Sequence, residues 1–234
     1  MIVNIRGTSG SGKTTLVRRL MAQCGPKVRV REKGKKKIIG YLCPHPQLLE
    51  QGVAFVGSYE NPTGGCDTIG GPNSMDQIFG LVKEGHARGF HVIYEGLLVS
   101  ADQKRTHELH TLGLPVQVVC LEVPIDLCVE SINMRRRARK GQDAEPVNPR
   151  NTESKWHQTK KAARWLTERG VPLTWCDRDS AFNLITDLLK LEKHHVPQEL
   201  VQRESPPPAP RARAVRAEPP RAEQTPRTPD LSAR

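Results

Sequence analysis

Gly7-Thr-Ser-Gly-Ser-Gly-Lys-Thr14 constrains this chain more than any other stretch. It fits the spacing G-x-x-x-x-G-K-[ST], and its context gives that spacing meaning. An apolar run, Ile2 to Ile5, precedes it, and Lys13 to Cys24 follows with Leu16, Val17, Leu20, Met21 and Cys24 on one side. Strand, glycine turn and helix in that order predict a phosphate-binding loop. The glycines let the backbone curl until successive N–H groups point inward, and the helix N-terminus adds its positive end. The expected cradle is Gly7, Thr8, Ser9, Gly10, Ser11, Gly12, Lys13 and Thr14. In such a cradle Lys13 reaches the β- and γ-phosphates of ATP, and the Thr14 hydroxyl ligates Mg²⁺.

The rest of the chain alternates extended and helical patterns, which predicts an α/β layered fold with a mainly parallel sheet. Val28 and Val30, a Lys33-Gly34-Lys35 tip and Ile38 to Leu42 read as a hairpin with a cationic end. Further strands are expected at Val53 to Gly57, His91 to Tyr94, Val116 to Val123 and Val171 to Trp175. Helices are expected after the capping boxes Ser74-Met-Asp-Gln77 and Ser100-Ala-Asp-Gln103, and over Asp126 to Lys140, Glu153 to Arg169 and Ser180 to Leu191. From Val196 onward Pro, Arg, Ala and Glu dominate, with nine of the nineteen prolines there. Such a segment buries too little apolar surface to offset its ordering entropy. The expected division is a domain over 1–193 and a disordered tail over 194–234.

The net charge of +11 is unevenly placed: KVRVREKGKKK spans Lys27 to Lys37, and RRRARK spans Arg135 to Lys140. Clusters of this kind suit a polyanionic partner, although a single run is usually a solvated face. The six cysteines show no regular spacing, which fits thiols in a reducing compartment, and Cys43, His45 and Cys66 lack the paired spacing of a metal site. With no membrane-spanning stretch and no room for a targeting peptide before residue 7, the expectation is a soluble, cytoplasmic protein.

A phosphate loop does not by itself separate kinase, GTPase and motor. No Asn-Lys-x-Asp appears, which removes the usual basis for guanine selection, and the chain is short for a large ATPase module. A kinase remains. Glu95 ends a hydrophobic strand, at the edge where a parallel sheet exposes function; it suits the Mg²⁺ shell or the acceptor hydroxyl, or it is merely a solvated strand end. Asp67 lies in the glycine-rich loop Thr63-Gly-Gly-Cys-Asp-Thr-Ile69. It is either the base for the acceptor hydroxyl or a turn-stabilising carboxylate. Arg135 and Arg139 share a helical face beside Arg136 and Arg137; they form a lid over the γ-phosphoryl, a nucleic-acid contact or a solvated face.

Taken together, the N-terminal loop, the strand ending Tyr94-Glu95-Gly96, and Leu121-Glu-Val-Pro124 leading to an arginine-rich helix resemble the nucleoside-monophosphate-kinase branch of P-loop proteins. That resemblance covers residues 1 to about 190 and implies a three-layer αβα fold with a five-stranded parallel sheet and an arginine lid. More narrowly, NIRGTSGSGKTTLVR, the GGCDTI loop and VIYEG are similar to the 5-hydroxymethyluracil (5-hmdU) DNA kinases of bacteriophages. That resemblance implies ATP-dependent phosphorylation of the hydroxymethyl group within DNA, a step of thymidine hypermodification; for such a transfer the expected catalytic residues are Lys13, Asp67, Glu95, Arg135 and Arg139. A DNA substrate needs phosphate contacts beyond the reacting group, and its target base must leave the stack. A free nucleotide or nucleoside kinase, or a non-catalytic ATP-gated nucleic-acid-binding module, stands as the alternative.

Overall fold

The computed structural model describes residues 1–48 and 51–191, so the expected tail and its boundary lie outside the described residues. The chain begins with β1 (Ile2–Arg6), α1 (Lys13–Ala22), β2 (Val28–Arg31), β3 (Ile38–Pro44) and β4 (Gly52–Val56). It continues through a 3-10 turn at Cys66–Thr68, α2 (Ser74–Ala87), β5 (His91–Glu95), α3 (Leu97–Ala101) and α4 (Lys104–Thr111). Then come β6 (Val116–Leu121), α5 (Ile125–Lys140), α6 (Pro149–Thr167), β7 (Leu173–Cys176) and α7 (Arg178–Leu188).

Strands β4, β5, β1, β6 and β7 lie side by side, all parallel, with β1 in the middle. This is the expected parallel sheet, but the sheet has seven strands among the described residues, not five. The basic hairpin is part of it. β3 pairs antiparallel with β4, matching Tyr41 with Phe55, and β2 pairs with β3 as the outer edge. Ile39, Gly40, Tyr41 and Cys43 of β3 are buried. A strand with apolar residues of this kind is better covered by the sheet than left as a free appendage.

Alternation also makes the layers. Val3 and Ile5 join Leu16, Leu20, Phe182 and Ile185 on the face covered by α1 and α7. Ile2, Val118 and Tyr94 meet Phe79, Val99 and Leu166 on the face covered by α2, α3 and α6. Both faces are apolar because helices cover both, the general condition of a parallel sheet.

The two capping boxes are corrected. Asn73 occupies the N-cap of α2 and makes no side-chain cap, so Ser74 is already helical. Ser100 lies inside α3, where its hydroxyl donates to Gly96 O at 2.6 Å. Helix α4 is instead held by Asp102, whose Oδ2 accepts the N–H and O–H of Thr106. The last two helices do carry side-chain caps, Asn148 on α6 and Asp177 on α7.

Candidate active site

The phosphate loop leaves the C-terminal end of β1, the central strand of the parallel set. Its carbonyls face cations. Lys13 Nζ donates to Gly7 O at 2.8 Å and Thr8 O at 3.0 Å, and Arg178 Nε donates to Ser11 O at 2.9 Å. The amides of Gly10, Gly12, Lys13 and Thr14 have no backbone acceptor among the described residues. Gly10 is required here: with φ at +82°, a Cβ would stand 2.2 Å from the carbonyl oxygen of Cys128 in α5. The buried Lys13 has its pKa lowered by desolvation, while Glu95 and Asp67 act to keep it charged. Unsatisfied amides and one desolvated ammonium make a site for a polyanion.

Register places Glu95 beside that loop, because β5 pairs with β1 so that Glu95 stands opposite Ile5. Its carboxylate is 1% exposed and accepts the Thr14 hydroxyl at 3.0 Å. Burial raises its pKa to about 7; Lys13 and Thr14 pull it back, and Asp67 adds to the rise. A buried acid that resists ionisation beside a threonine hydroxyl fits a divalent cation well. Oxygen donors of this kind suit Mg²⁺.

The glycine-rich loop ends against these groups. A Cβ on Gly65, whose φ is +78°, would meet Glu95 Oε1 at 2.3 Å, and one on Gly64 would meet Thr14 Cγ2 at 3.0 Å. The paired glycines thus permit close approach to the site's own side chains. Two residues on, Asp67 accepts the Leu97 amide at 2.8 and 3.0 Å and the Leu98 amide at 3.4 Å, holding the start of α3. It also lines the cleft, and the amides it holds belong to α3 and not to its own turn.

Lys13, Thr14, Glu95, Asp67 and Arg135 border one cleft of about 510 Å³. Arg139 does not: one turn beyond Arg135 it faces the loop after β4, where it borders a neighbouring hollow. Two arginines that the sequence reading missed do line the cleft. Arg178 reaches it from 167 residues away, and its only signal is its place just after the last parallel strand. Arg18 stands four residues after Thr14, and that helical spacing is the signal that could have found it.

Beneath the loop lies a buried polar network centred on Arg6. Its guanidinium donates to Asn4 Oδ1 at 2.5 Å, Asp102 O at 2.6 Å, Thr106 Oγ1 at 2.7 Å and Ser100 O at 3.3 Å. Ser100 Oγ accepts the Gly7 amide at 3.2 Å. The first peptide of the phosphate loop is therefore tied to the segment after β5.

An AAA domain family model matches residues 2–159. A protein named 5-hmdU DNA kinase, from Pseudomonas phage PaMx11, is 46% identical over 189 residues, spanning 81% of this chain and 97% of that one. Another of the same name, from Delftia phage PhiW-14, is 25% identical over 201 residues, spanning 80% of this chain and 72% of that one. Among solved structures, a deoxyadenosine kinase from M. mycoides is 13% identical with a TM-score of 0.44, covering 81% of this chain and 99% of that one, a likeness too loose to carry a conclusion.

Proposed function

The chain belongs to the AAA domain family and, within it, to the phage 5-hmdU DNA kinases, and from that membership we propose that it moves the γ-phosphoryl group of ATP onto the hydroxymethyl oxygen of 5-hydroxymethyl-deoxyuridine in DNA. The observation that carries the phosphotransfer reading is the Thr14–Glu95 pair, 3.0 Å apart beside the loop's unsatisfied amides. The name of the 46% identical relative supplies the acceptor.

In this reading the loop amides take the β-phosphate oxygens. Lys13 leaves the carbonyls of Gly7 and Thr8 for the β- and γ-phosphates, whose negative charge favours the ammonium that burial disfavours. Thr14 and Glu95 would hold Mg²⁺, which would supply positive charge to neutralise the transferring phosphate. Asp67 takes the hydroxymethyl proton as its oxygen bonds to the γ-phosphorus, and the bond to the bridging oxygen breaks to release ADP. Arg135 faces the charge that spreads over the equatorial oxygens. The cationic hairpin, with Lys33, Lys35 and Lys36 exposed, supplies sequence-independent contacts to the DNA backbone.

The test is transfer of label from γ-labelled ATP to three acceptors: DNA containing 5-hmdU, thymidine DNA and free 5-hmdU nucleotide. Label is expected in the first alone, and Lys13→Ala abolishes it. Label in the free nucleotide but not in DNA points to a nucleotide kinase; label in none leaves a binding module.

A further inference from the structure

A second, larger hollow of about 990 Å³ opens beside the nucleotide cleft. One wall is the C-terminal half of α5, with Ile132, Arg136 and Arg139; the other is the loop after β4, from Tyr59 to Thr63. Arg18, Pro62, Thr63 and Arg135 border both spaces, so a molecule seated in the second can present a group to the first.

Its electrostatics are one-sided. Arg18, Arg135, Arg136 and Arg139 line it against a single carboxylate, Glu60. That carboxylate is already engaged, accepting Arg29 Nε at 3.1 Å and the Tyr41 hydroxyl at 2.9 Å. Among the described residues no carboxylate pairs with Arg135, Arg136 or Arg139. Arg136 Nε is buried with no hydrogen-bond partner. A buried donor left in that state is destabilising, and a phosphate oxygen is an acceptor that would satisfy it.

Shape narrows the occupant. A space of about 990 Å³ is at the upper end of pockets that hold a single small molecule, roughly 300–1,000 Å³, and cannot admit a duplex. The Arg29–Glu60 ion pair joins its rim to the cationic hairpin, so a strand lying along β2 leads into it. Ile132 and Pro62 give the interior apolar surface beside the guanidinium groups.

Resting on the kinase reading above, we propose that this hollow is the acceptor site: it takes the 5-hmdU nucleotide extruded from DNA, with Arg136 and Arg139 on its flanking phosphates and its hydroxymethyl group turned toward the nucleotide cleft. The arginine-rich end of α5 then serves two tasks, Arg135 facing the γ-phosphoryl and Arg136 and Arg139 holding the phosphates of the acceptor strand.

The test is steady-state kinetics of Arg136→Glu and Arg139→Glu on 5-hmdU DNA across a salt series, with the KM for ATP as the check on folding and nucleotide binding. Ile132→Trp, which fills the hollow without changing charge, is the third variant. The two charge variants are expected to raise the KM for DNA about tenfold or more and to flatten the log–log salt slope by about one or more each, with the KM for ATP unchanged. Ile132→Trp is expected to lower kcat/KM for DNA and leave the salt slope alone. An active wild-type enzyme whose KM for DNA and salt slope are indifferent to both arginine variants overturns this assignment alone. A wild-type enzyme that labels no 5-hmdU DNA overturns the kinase reading and this assignment with it.

Discussion

The hydroxyl of Thr14, one residue into α1, donates a 3.0 Å hydrogen bond to Oε1 of Glu95 at the end of β5. These residues are 81 apart, and they meet because β1 and β5 are neighbours in register. Glu95 has exchanged water for this hydroxyl and the nearby Lys13, and the exchange is incomplete: its pKa rises to about 7.

That rise has two measurable consequences of opposite kind. In the free enzyme, protonated Glu95 cannot hold a cation, so kcat/KM for ATP is expected to climb as pH rises through about 7. Stability runs the other way. The folded pKa lies above the ordinary 4.5, so the stabilising contribution is complete below about 4.5 and is lost as pH rises through about 7. The difference is worth about 3 kcal/mol. Glu95→Gln removes the ionisation, so urea unfolding without ligand should favour the variant at pH 8 by up to about 3 kcal/mol relative to the comparison at pH 5. Its kcat/KM should fall by about a hundredfold and lose the pH limb. His91 titrates with the opposite sign, its pKa lowered to about 4 by burial, but it does so in both proteins and cancels in the difference.

Gly65 tests how tightly the glycine-rich loop is fitted to that carboxylate. A methyl group there would stand 2.3 Å from Glu95 Oε1 and 2.7 Å from Glu95 O, on a backbone with φ at +78°. Either the loop or Glu95 must move. Gly65→Ala is expected to cost about 2–4 kcal/mol in urea unfolding and to raise the KM for ATP, since Thr14 loses its partner. Gly70→Ala is the control. It lies in the same stretch with nothing within 4 Å, and both quantities should change little.

Arg6 was invisible as a structural residue in the sequence, where it reads as the polar end of a short strand. In the fold it is fully buried, and burial lowers its pKa. Arg6→Leu leaves Asn4 Oδ1, Thr106 Oγ1 and two carbonyls without their donor, so a loss of about 3–5 kcal/mol is expected in urea unfolding. Arg6→Lys should lose less, since one ammonium replaces only some of those bonds.

What the sequence disclosed follows from the range of the forces involved. The phosphate loop, its strand and its helix were legible because each depends on neighbours a few residues away. Apolar runs located β4, β5, β6 and β7, and Val28 and Val30 before a Lys33-Gly34-Lys35 tip located the hairpin. Pairing was not legible: nothing between Val28 and Pro44 states that Tyr41 will lie against Phe55, so the hairpin's place in the sheet had to come from the fold. The same limit applies to side chains. Ser100 fitted a capping pattern, yet its hydroxyl is taken by Gly96 and its lone pair by the Gly7 amide across the sheet. Arg178 reaches the phosphate loop only because α7 starts directly after β7. Arg139 shared a helical face with Arg135 as expected, but it borders the neighbouring hollow and not the nucleotide cleft.

Asp67 carries the remaining question of chemistry against scaffold, and one substitution separates them. Its carboxylate holds the amides of Leu97 and Leu98, and an asparagine keeps an oxygen that can accept the same N–H groups. What asparagine lacks is the capacity to take a proton. If Asp67 accepts the hydroxymethyl proton, Asp67→Asn should lower kcat by about 10²–10⁴ while the Tm and the KM for ATP stay near those of the wild type. Asp67→Ala removes both functions, so its Tm should fall as well, by the cost of unpaired amides at the start of α3. An Asp67→Asn enzyme with full kcat would confine this residue to holding α3 and leave Glu95 as the other carboxylate lining the cleft.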